Sequence, residues 1–104
     1  MSLFNNNSSK PVIYMIKASA IRRKSYSNMP TRELEAHIST EAYDLGDKVT
    51  KLGPLGVPRD RIEKSMLTIL AGGLELQSRT DRTHSGNIIV DSILPSCMEK
   101  LGIK

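Results

Sequence analysis

The 104-residue chain is the length of one domain with room for a single small core, so two independent domains are excluded. Aromatic side chains make up 4% of it, with one Phe and no Trp, which leaves almost nothing on which single-stranded bases could stack. The net charge of +4 is unevenly spread: residues 1–32 hold six basic side chains and no acidic one, whereas the remaining 72 hold nine basic and eleven acidic.

In chain order, residues 1–9 (MSLFNNNSS) are too polar to order themselves and read as a mobile end. Pro11–Ile16 (PVIYMI) fits either a short strand or the start of a helix continuing to Ile21; its apolar run is far shorter than the ~20 residues a bilayer span needs. Arg22–Pro30 (RRKSYSNMP) holds the densest positive charge, and its Ser, Asn and Pro residues read as a linker. Residues 1–30 are therefore expected to form an extended, partly disordered basic arm.

Thr31–Leu52 supports two readings. Leu34, Ile38, Ala42, Leu45, Val49 and Leu52 keep the spacing of one long amphipathic helix, interrupted only by Gly46. Leu34, Ala36 and Ile38 also alternate with Glu33, Glu35 and His37, the period of a half-buried strand, after which Ser39 would cap a helix from Thr40. Gly53, Pro54, Gly56 and Pro58 then enforce a turn.

A second helix starts after Pro58 and carries Ile62, Met66, Ile69 and Leu70 over residues 59–71; Gly72-Gly73 is expected to end it. Gln77–Asn87 reads as a polar loop, Ile88–Val90 as a β-branched run, and Pro95–Leu101 as a last helical turn or two stopped by Gly102. The expected fold is mainly α: one small helical domain over residues 31–104 plus the basic arm over 1–30, with one short strand before two helices if the alternating pattern prevails.

Catalytic chemistry has little to stand on. His37 and His84 are far apart in sequence, Cys97 is alone, and Gly53-Pro54-Leu55-Gly56 lacks the Gly-Lys-Ser/Thr of a phosphate loop. No catalytic residue, metal or cofactor is expected. A lone Cys closes no internal disulfide, which favours a reducing, cytoplasmic compartment.

Ala36, Ile38 and Ser39, then Tyr43, Leu45 and Val49, then Gly56-Val57-Pro58-Arg59 followed by Ile62, Lys64, Ser65, Leu67 and Leu70, carry a resemblance. In this order, over residues 33–74, the chain resembles the ribbon-helix-helix family of dimeric DNA-binding proteins, of the type found as accessory proteins in plasmid-transfer relaxosomes. The resemblance implies a paired ribbon entering the major groove and a phosphate held at the second helix's N-terminus. The chain departs from the family in placing Glu33, Glu35 and His37 where base-reading side chains would stand, and two carboxylates repel a phosphate-lined groove. Either the basic arm compensates, or the scaffold has lost DNA binding, or the segment is a helix.

Two function classes follow. The first is a small regulatory or accessory protein that binds duplex DNA through Lys17, Arg22, Arg23, Lys24, Arg32, Arg59 and Arg61. The second is a structural or adaptor subunit whose arm wraps a protein partner in a larger assembly. Either is expected as a homodimer or higher assembly, because two short helices with little aromatic mass leave apolar surface uncovered.

Overall fold

The computed structural model describes residues 10–53 and 55–103, so the mobile end expected over residues 1–9 lies outside the described residues. Helix α1 spans Lys10–Ile21 and runs on into a π-helical turn, Arg22–Tyr26. Helix α2 spans Thr31–Leu52 and α3 spans Arg59–Gln77. Helix α4, His84–Ile88, passes through a second π-helical turn, Ile89–Ile93, into α5, Leu94–Lys100.

The short strand expected before two helices is absent: among the described residues there is no strand. Burial explains the outcome. A strand over 33–38 would bury Ala36 beside Leu34 and Ile38, yet Ala36 is exposed and Glu35 is buried. Leu34 and Ile38 are fully buried, and Ala42, Leu45 and Val49 pack behind them, so the 3.6-residue stripe wins over the period-2 pattern. Residues 33–38 therefore form no ribbon, and the expected strand before two helices is replaced by the first turns of α2.

From Lys10 onward the expected arm is helical rather than extended. Tyr14 and Ala18 are buried against α3 and anchor α1 to the body. The radius of gyration, 13.2 Å, is that of a compact chain of about 100 residues, for which roughly 13 Å is usual. What reads in sequence as a linker, Arg22–Pro30, begins as the π turn and ends in a short bend before Thr31.

Helix α3 is the centre of the structure and touches α1, α2, α5 and both π turns. It buries Ile62, Met66, Leu67, Ile69, Leu70 and Leu76 on several sides at once. Contrary to the expected stop at Gly72-Gly73, it runs through both glycines to Gln77. Their missing side chains let neighbours approach: a Cβ on Gly72 would strike the Ile38 side chain, and one on Gly73 would lie 2.8 Å from Leu94 Cδ1. Close packing offsets the roughly 1 kcal/mol by which each glycine weakens a helix.

Two glycines end helices as their sequence positions imply. Gly53, at φ 77°, donates its N–H to Val49 O, and the turn continues with Gly56 N–H to Gly53 O at 3.0 Å. Gly102, also at φ 77°, follows α5, where Ile103 N–H donates back to Met98 O at 2.8 Å. The β-branched run Ile88–Val90 is helical and enters the second π turn, which lies just before Pro95, a residue that cannot donate a backbone bond.

Candidate functional site

The densest polar structure sits where α3 ends beside the start of α2. Glu75, 9% exposed, accepts from Arg22 Nε at 2.9 Å through Oε1 and from Arg79 Nε at 3.0 Å through Oε2. Arg79 also donates to the carbonyls of Met29 and Tyr26 and to Thr31 Oγ1, and so pins the bend between α1 and α2. Thr31 in turn donates to the Asp81 carboxylate at 2.8 Å. One turn along α2, Glu35 accepts from the Thr83 N–H at 2.8 Å and from its hydroxyl at 2.6 Å. Arg82 closes the loop by donating to Arg79 O and Leu76 O.

This network is occupied by its own members. Burial pushes the Glu75 carboxyl up, but the hydrogen bonds and charges of Arg22 and Arg79 outweigh it and hold the group below its ordinary value. The Cys97 thiol is likewise engaged: burial pushes it up to about 12, and its Sγ donates to Met66 O at 3.3 Å. His37 is engaged with the Tyr26 hydroxyl at 3.0 Å. Among the described residues no group of three or more His, Cys, Asp or Glu is placed to hold a metal ion.

The seven cations expected to form one nucleic-acid contact are dispersed. Tyr14 donates to Glu63 near the start of α3, and Arg22 pairs with Glu75 near its end, so α1 and α3 run parallel. Arg59 lies sixteen positions before Glu75 on α3, roughly 24 Å along the axis at about 1.5 Å per residue. Arg22–Lys24 and Arg59–Arg61 thus occupy opposite ends. Arg22 is already committed to Glu75. Arg61 borders a 590 Å³ groove between α2 and α3, where it, Lys48 and Lys64 are balanced by Glu41, Asp44 and Asp60. Lys17, Arg23, Lys24 and Arg32 remain exposed at and beyond the end of α1.

The sequence reading missed the outer face of α1. Val12, Ile13 and Ile16 are 60%, 41% and 63% exposed, on the side opposite buried Tyr14 and Ala18. Lys17, Arg23 and Lys24 flank them, and no acidic residue occurs from Lys10 to Arg32. Helix α1 thus has one apolar face in the core and a second cluster of apolar side chains in solvent. The signal was present as the 3- and 4-residue spacing of Ile13, Ile16 and Ala20, legible only once residues 10–21 are known to be helical.

The fold and this surface define a small, mainly helical domain with a cation-rimmed apolar face. No protein-family model matches the chain, and neither a curated protein nor a solved structure matches it. Among the described residues no helix is long and apolar enough to cross a membrane.

Proposed function

We propose that this chain is a non-enzymatic adaptor or structural subunit that works by binding a protein partner in a reducing, cytoplasmic compartment. The supporting observation is the two-faced helix α1, which is anchored by Tyr14 and Ala18 while it offers Val12, Ile13 and Ile16 to solvent. Phosphates gain nothing from Val and Ile, whereas a protein surface removes their apolar area from water at about 25 cal/mol per Å². The committed Arg22 and the charge-balanced surroundings of Arg61 point the same way.

One observation favours a second reading, binding of duplex DNA: Lys17, Arg23, Lys24 and Arg32 are exposed in a stretch whose first acidic residue is Glu33. Titration of the full chain into duplex DNA at about 50 and 200 mM salt separates the two, because each phosphate contact adds roughly −0.9 to the log–log slope. The adaptor reading predicts weak binding with a slope shallower than about −2. A slope near −3.6, the value for about four phosphate contacts, abolished by replacing those four cations with Ala, would overturn it in favour of DNA.

A further inference from the structure

Residues on the outer face of α1 follow a heptad register. Ile13, Ile16 and Ala20 recur at spacings of three and four, the seam of a coiled coil, and all three face away from the Tyr14–Ala18 core side. Lys10 and Lys17, seven residues apart, line one edge of that seam, and Lys24 with Arg23 closes its C-terminal end in the π turn. The opposite edge is Val12 and Ser19, which carry no charge. The face is therefore half of a helix pair with its ionic edge of one sign.

Resting on the adaptor reading, we infer that this face docks an amphipathic helix of a different protein, apolar at three-and-four spacing and acidic along the edge that meets Lys10, Lys17 and Lys24. Charge selects this occupant over a second copy of the chain. An antiparallel copy would set lysine edge against lysine edge, and a parallel copy would set lysines against Val12 and Ser19 with no counter-charge. Residues 1–9 of the same chain contain no acidic side chain to serve as the partner. Opposite charges at such edges choose the partner and its orientation, while the apolar seam supplies the burial.

The test uses the full chain and two fluorescent synthetic helices of about three heptads, identical at their Leu/Ile seam, one with Glu and one with Lys at both edges. Anisotropy titration should show the Glu peptide binding about tenfold or more tightly than the Lys peptide. The double substitution Lys17→Glu/Lys24→Glu should reverse that preference, and Ile13→Ser/Ile16→Ser should abolish binding of both; circular dichroism and unfolding midpoints should match the parent chain, since all four residues are exposed.

Equal binding of both peptides that is lost in Ile13→Ser/Ile16→Ser would sink the acidic partner but keep the adaptor reading. Glu-peptide binding that survives those two serines is mere charge attraction and overturns the seam. Self-association seen by sedimentation and lost in the serine variant assigns the face to a second copy, and tighter binding to anionic phosphatidylserine vesicles than to the Glu peptide assigns it to a membrane surface; both overturn the inference. If neither peptide binds and the chain stays monomeric, the inference and the adaptor reading of this face fall together.

Discussion

Replacing Arg79 with Ala is expected to lower the stability of the fold by about 3 kcal/mol, the low end for breaking a buried ion pair, and the melting temperature by more than about 10 °C. The reason is geometric. One guanidinium serves Glu75, Thr31 and the carbonyls of Met29 and Tyr26, and its removal leaves the buried Glu75 carboxylate with Arg22 alone and opens the bend that joins α1 to α2. Arg79→Lys should stay destabilised, because an ammonium has no planar fork with which to meet acceptors on two sides.

Acid should shrink the difference to what the bonds to Met29, Tyr26 and Thr31 supply. Glu75 titrates below its ordinary value of 4.5 in the folded chain, so its contribution is complete above the unfolded value and is lost as pH falls through the folded one. Thermal melts should therefore show the gap between the parent chain and Arg79→Ala widest at neutral pH and narrowing below 4.5 without closing.

Leu70→Ala is expected to destabilise by about 2–5 kcal/mol, with the urea midpoint falling and the m-value unchanged. Leu70 is fully buried in the middle of α3, the helix on which α1, α2 and α5 all pack. Leu55→Ala, in the exposed turn after α2, is the matched control and should change stability by less than about 0.5 kcal/mol. Similar losses at both positions would mean that α3 is not the centre of the core.

The parts of this fold legible in sequence are those decided locally. The turn at Gly53 and Gly56, the start of α3 after Pro58, and the stop at Gly102 rest on glycine and proline backbone chemistry, and each is where those residues place it. Residues 33–38 carried two valid periods, and the choice between them lay in packing the sequence does not display: the helical stripe meets the core, and Thr83, 48 residues away, donates to the buried Glu35. Gly72-Gly73 read as a helix stop because the sequence does not show Ile38 and Leu94 arriving to fill the space.

The surface was harder still. Arg22 belongs to the densest cationic run, yet its charge is spent on Glu75, 53 residues further along the chain. Lys17, Arg23 and Lys24 are exposed as a basic arm would have them, but on a packed helix whose apolar face changes what they select. The five apolar residues of Val12–Ile16 were too few for periodicity to settle, so the outer face of α1 became visible only with the fold.

Everything proposed about function depends on α1 being an integral, two-faced helix rather than a loose basic arm. Native-state amide hydrogen exchange on the full chain reads this directly, since amides in a mobile segment exchange with near-zero opening free energy and those in a cooperative core approach the global value. The amides of Tyr14 and Ala18 should be protected to nearly the same degree as those of Leu70 in α3. Exchange of residues 14–21 at the rate of an unstructured peptide, while α3 remains protected, would contradict the account.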